Sequence, residues 1–115
     1  MCGINGIISD SYSENGFLRR TIHQMNEEIL HRGPDSDGIF IDGNCGLAHK
    51  RLSVIDLSPT GHQPMLSTEG RYICIFNGEI YNYLEIRKEL QNSGVTTGWH
   101  GHSDTEVILA AISHW

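Results

Sequence analysis

Positive charge is scarce in this sequence: 8 lysines and arginines stand against 14 acidic side chains, for a formal net charge of −6. The one dense basic cluster, His49-Lys50-Arg51, is too small to track a phosphate backbone, so the reading contains no nucleic-acid partner. Long apolar runs are missing as well. No stretch approaches the length that spans a bilayer, and the charged-then-apolar start of a secretory signal is not there, so no membrane partner is expected. Cysteine is sparse: Cys2, Cys45 and Cys74 are odd in number and widely spaced. That pattern builds neither a disulfide framework nor a zinc site, and it favours a reducing, cytoplasmic compartment. What remains, 115 residues of which 38% are hydrophobic, supplies one modest core and not two.

The apolar residues that are present fall into short segments. Residues 2–9 read as a strand carrying two glycines, and glycine inside a strand marks close approach by a ligand or another backbone. Leu18, Ile22, Met25 and Ile29 have helical spacing, and Gly33-Pro34 should end that helix. Ile39-Phe40-Ile41, the turn signal Asp42-Gly43-Asn44, and Gly46 to His49 predict a hairpin. Arg51 to Ile55 is rich in β-branched and apolar residues, and it runs into a loop over 56–64. Tyr72 to Phe76 is a continuous apolar run, expected as a strand buried on both faces. A second helix is predicted after Asn82, with Glu85 as capping-box partner and Gly94 beyond its end. A third is predicted after Ser103, with Glu106 in the same capping role and Val107, Ile108, Ala111, Ile112 and Trp115 as its apolar face. The fold class is α+β.

Several residues could carry chemistry, each beside a plainer explanation. Cys2 follows the initiator Met1. Once that methionine is removed, one residue owns both a thiol and a free α-amine, a nucleophile with its own base. The plainer explanation is an ordinary second-position cysteine. Asn77-Gly78 after a strand is either a hairpin turn or a pair of donors aimed at an oxyanion. Arg51 is either a surface cation or a planar fork for a carboxylate. Asp104 suits the first turn of a helix whatever its function, and it could also hold an ammonium group. His100-x-His102-x-Asp104 has metal-site spacing on paper, but Ser103 as a helix cap explains that neighbourhood better.

Taken in order, these signals resemble one family. Met1-Cys2-Gly3-Ile4-Asn5-Gly6 looks like the start of the class II, N-terminal-nucleophile glutamine amidotransferases. His31-Arg32-Gly33-Pro34-Asp35, Leu47 to Asp56, Gly61-His62-Gln63-Pro64-Met65, Phe76 to Tyr83 and Gly101 to Ile108 follow the pattern of the asparagine synthetases within that class. The resemblance covers essentially the whole chain. It implies part of a four-layer αββα fold, with residues 2–115 an incomplete glutaminase domain. It also implies that Cys2 forms a glutamyl thioester, that Asn77 and Gly78 stabilise the oxyanion, and that Arg51 binds the α-carboxylate of L-glutamine. Asp104, and Glu79 or its backbone, would hold the α-ammonium, while Leu52, Ser53, Val54 and Ile55 line the pocket.

No cofactor is expected in this chain. ATP and magnesium would serve a synthetase domain that amidates aspartate, whose Ser-Gly-Gly-x-Asp-Ser loop does not occur here, and a homodimer is compatible with the pattern. Two rival readings accompany this one: a non-catalytic remnant keeping only the glutamine pocket, and an asparagine-synthetase-like amidotransferase of surface-polysaccharide biosynthesis.

Overall fold

The computed structural model describes residues 1–10, 16–53, 58–95 and 98–115. Strand β1 (Gly3–Ile8) is followed by helix α1 (Phe17–Glu28) and a 3-10 turn (Leu30–Arg32) that ends before Gly33-Pro34. Strands β2 (Ser36–Asp42) and β3 (Cys45–Arg51) form the expected hairpin. Two short strands, β4 (Met65–Leu66) and β5 (Ile73–Cys74), precede helices α2 (Tyr83–Asn92) and α3 (Asp104–His114). The described elements mix helix and strand, as the α+β reading has it.

One sheet is antiparallel throughout, in the order β1-β3-β2. Its register sets Gly3 opposite Lys50 and Asp37 opposite Lys50 on the other side, so those positions share the face toward α1. Leu18 and Ile22 of α1 are buried there. Gly3 explains one of the glycines in β1, because a Cβ at that position would meet Ile29 Cδ1 at 2.7 Å. Lys50 pins the same layer: its Nζ lies 3.0 Å from Glu27 of α1 and 3.4 Å from Asp37 of β2. Burial alone would depress the ammonium, but the two carboxylates more than offset it and hold its pKa above the usual lysine value. The opposite face, carrying Ile4 and Ile8, is largely open.

A second unit is built from α2 and α3 with the β4-β5 ribbon. Its core is Leu90, Val107, Ala110 and Ala111, with Tyr83, Ile86, Val95 and Trp99 packed around it. Three expectations are corrected here. Tyr72 to Phe76 is not buried on both faces: all five residues are half-buried, and only Ile73 and Cys74 join a ladder, because β4 offers just two partners. On α3, Leu109 and Ala110 are buried beside Val107 and Ala111, while Ile112 and Trp115 are exposed, so the buried stripe is shifted from its sequence pattern. Neither capping box forms as expected. Asn82 makes no side-chain cap bond, and Glu106 reaches past Ser103 to accept from His100 N–H at 2.6 Å and Gly101 N–H at 3.1 Å. The loop before α3 folds over its first turn, so those two N–H groups reach the carboxylate while Ser103 Oγ accepts from Thr105. Among the described residues, no helix is long and apolar enough to cross a membrane.

Candidate active site

The β1–β3 register carries the start of β1 alongside the end of β3, which delivers Cys2 to Leu52 across 50 positions of sequence. Leu52 N–H donates to Cys2 Sγ at 3.3 Å, and the thiol donates to the Leu52 carbonyl at 3.4 Å. The sulfur is therefore held by backbone at the wall of a cavity of about 370 Å³. That cavity brings together Cys2, Arg51, Leu52, Asn77, Gly78, Glu79 and Asp104 from the sequence-based site, with Met1 at its edge.

Arg51 is almost completely buried at the end of β3. Its Nη1 donates to the Ser58 carbonyl at 2.8 Å, which fixes the plane of the guanidinium. Gly61 leaves the space for that plane, since a Cβ there would meet Arg51 Cζ at 3.0 Å. Asp104, buried in the first turn of α3, accepts Ile80 N–H on Oδ2 at 2.9 Å. This bond ties the loop that carries Asn77, Gly78 and Glu79 to the helix that carries the carboxylate. Cation and carboxylate thus line one hollow, set by different elements, with neutral donors and a thiol on the same walls.

Not every predicted residue lines that cavity. Ser53 lies on a neighbouring hollow with Asp35 and Ser36, and its N–H donates to Asp35 Oδ2 at 2.7 Å. Val54 and Ile55 lie outside the described residues. The paper metal constellation does not assemble: Asp104 faces the cavity, whereas His100 is exposed beside Glu106 at 3.3 Å. Among the described residues, no group of three His, Cys, Asp or Glu side chains is arranged to hold a metal ion.

The structure adds residues that the sequence reading did not assign to the site: His49, Gly61, Gln63, Phe76, Tyr81, Ser103 and Thr105 line the same cavity. His49 points away from α1, on the face shared with Ile4 and Gly38, and is 1% exposed. Burial is the main cause that pushes its imidazole down from 6.5 to about 4. The charges of His62 and Arg51 push the same way, while the Phe76 backbone opposes them without reaching hydrogen-bond geometry. His49 is therefore neutral at pH 7. Because its folded value lies below its unfolded value, the unfolded chain takes up the proton first as pH falls. The associated stability is fully present above pH 6.5 and is lost between 6.5 and about 4. We expect His49 to cost about 2 kcal/mol of stability on going from pH 7 to pH 5. Denaturant melts at the two pH values check this: the drop should shrink in His49→Asn, and an equal drop in both proteins would refute it.

Comparison with known proteins follows the same lines. The family model described as a glutamine amidotransferase domain matches residues 1–115. The chain is 45% identical over 116 residues to asparagine synthetase [glutamine-hydrolyzing] 1 of Bacillus subtilis, which accounts for all of this chain and 18% of that protein. It is 36% identical over 125 residues to amidase chry2 of Gibberella zeae, covering 100% of this chain and 18% of the relative. It is 39% identical over 108 residues to asparagine synthetase [glutamine-hydrolyzing] 1 of Arabidopsis thaliana, at 94% and 18% coverage. The chain thus spans under a fifth of the length of these three relatives.

Proposed function

Because the chain belongs to the glutamine amidotransferase domain family, we propose that it hydrolyses the side-chain amide of L-glutamine to glutamate and ammonia. The observation that carries the reading is a single cavity lined by the Cys2 thiol, the Arg51 guanidinium, the Asp104 and Glu79 carboxylates and the Asn77-Gly78 pair. Glutamine is zwitterionic. Arg51 suits its α-carboxylate, and Asp104 with Glu79 suits its α-ammonium, so a simple amide would be rejected. Leu52, on the wall of the same cavity, completes the pocket in this proposal.

The chemistry runs in two halves. Cys2 Sγ attacks the amide carbon, and the charge that develops on oxygen is met by Asn77 and the Gly78 N–H. The Cys2 α-amine takes the thiol proton and hands it to the departing nitrogen, so ammonia leaves and a glutamyl thioester remains. Water then cleaves the thioester, with the same amine as base, and glutamate is released. In the translated chain the Cys2 nitrogen is an amide and cannot act as a base, so removal of Met1 is required. Two relatives are named glutamine-hydrolyzing asparagine synthetases, and in this proposal the ammonia passes to a synthetase part that uses ATP and magnesium to amidate aspartate. The finer arrangement proposed is that the two sheets form the inner layers of an αββα sandwich.

The test is glutamate release from glutamine by chain whose Met1 has been removed, compared with chain in which an N-terminal extension blocks removal. Turnover should require the free Cys2 amine. No glutamate from the processed protein would overturn the glutaminase reading. Equal turnover by the blocked protein would overturn the amine as base.

A further inference from the structure

Gln63 is nearly buried, at 7% exposure, and spends its amide on two elements that are distant in sequence. Its Oε1 accepts Phe76 N–H at 2.6 Å, and its Nε2 donates to Thr105 Oγ1 at 3.2 Å. The assignment of oxygen and nitrogen is fixed by chemistry. A backbone N–H can only donate, so the amide oxygen must face Phe76, which turns the NH₂ group to Thr105. Phe76 is the residue before Asn77, and Thr105 is the residue after Asp104. Thr105 is itself buried, and its N–H is taken by Ser103 Oγ.

We propose that Gln63 is a positioning residue that holds the oxyanion donors of Asn77-Gly78 at a fixed distance from the carboxylate of Asp104. The inference rests on the glutaminase reading and deepens it. Glutamine would be gripped at its α-ammonium by α3 while its side-chain amide reacts at the strand end. Catalysis therefore depends on the spacing between these two segments, and among the described residues no backbone ladder joins them. Two side-chain links do: Asp104 to Ile80 N–H, and the Gln63 bridge. Of the two, only Gln63 grips the strand on the N-terminal side of Asn77, where a shift would swing both donors. A glutamine suits this task because it offers one acceptor and one donor on a short, planar group. Methionine has the same length and neither bond. Glutamate keeps the acceptor, and Thr105 can donate to it.

The experiment measures glutamine hydrolysis by the full chain, normalised to the number of sites that react covalently with a chloroketone analogue of glutamine. Gln63→Met should lose at least about tenfold in kcat per labelled site, because small misplacements of reacting groups are costly. Gln63→Glu should recover part of that loss. Thr105→Val cuts only the helix arm and should raise KM with kcat unchanged, and Thr105→Ser should restore KM. A merely structural Gln63 would lower the labelled fraction and leave both constants per site at wild-type values, which would overturn the proposal. If Gln63→Met does not fold, the Thr105 pair decides, and an unchanged KM in Thr105→Val overturns it. A wild-type chain that neither turns over glutamine nor labels at Cys2 overturns the glutaminase reading, and this inference with it. Wild-type turnover with indifferent Gln63 variants overturns this inference alone.

Discussion

Replacing Cys2 by alanine will lower glutamate release from glutamine by about 10⁴-fold or more, while Cys45→Ala and Cys74→Ala retain turnover. The size follows from what is removed. A nucleophile that forms a covalent intermediate has no substitute in its site, and only weak catalysis by binding and oxyanion donors is left behind. The selectivity follows from place. Cys2 has its sulfur fixed by both backbone groups of Leu52 at the cavity wall. Cys45 opens β3 at the far end of the same strand, opposite Ile8. Cys74 sits in the β4-β5 ribbon, where burial pushes its thiol up and disfavours the thiolate. The Cys2 side chain adds little to the core, so circular dichroism and denaturant melts of Cys2→Ala should match wild type. Turnover surviving in Cys2→Ala would remove the thioester from the mechanism.

The sequence announced the local elements and missed the long-range ones, for a physical reason. Leu18 and Ile22 spaced by four, the Asp42-Gly43-Asn44 turn and Ser103 ahead of an apolar stretch each act within a few residues. The β2–β3 hairpin and the starts of α1 and α3 therefore stand where they were expected, although α1 ends at Glu28 and a 3-10 turn, not the helix, runs up to Gly33-Pro34. Tyr72 to Phe76 misled because an apolar run reports only that burial would be favourable, and burial needs a partner. Its ladder ends after Ile73 and Cys74, since β4 is two residues long. The same logic divides the site. Cys2, Arg51, Asn77, Gly78, Glu79 and Asp104 were legible because the family pattern names them, and the fold gathers them into one cavity. His49, Gly61 and Gln63 were quoted only as members of motifs. The importance of Gln63 lies in bonds to residues 13 and 42 positions away, and that of Gly61 in the room it leaves Arg51.

Asp104 is the second residue whose loss should be severe, and its two functions can be separated by choice of replacement. Asp104→Asn keeps an oxygen that can accept Ile80 N–H but removes the negative charge. Its KM for glutamine should rise by about 10²-fold with kcat nearly kept, since a buried charge partner is lost without disturbing the loop. Asp104→Ala removes the acceptor too. The Ile80 N–H, now bonded at 2.9 Å, would be left without its partner, and the loop from Asn77 to Ile80 would lose its tie to α3. Here kcat should fall along with the rise in KM, giving a loss of about 10²- to 10³-fold in kcat/KM. Stability should fall in the alanine variant more than in the asparagine variant, because an unsatisfied polar group costs about 1–3 kcal/mol. Glutaramate, which is glutamine without its α-amine, isolates the charge. Wild-type protein should prefer glutamine over glutaramate strongly, and Asp104→Asn should prefer it much less, because the only group distinguishing the substrates has lost its counter-ion. An Asp104→Asn protein with wild-type KM and an undiminished preference for glutamine would move the ammonium contact to Glu79. It would leave Asp104 as the cap that holds the 77–80 loop against the helix.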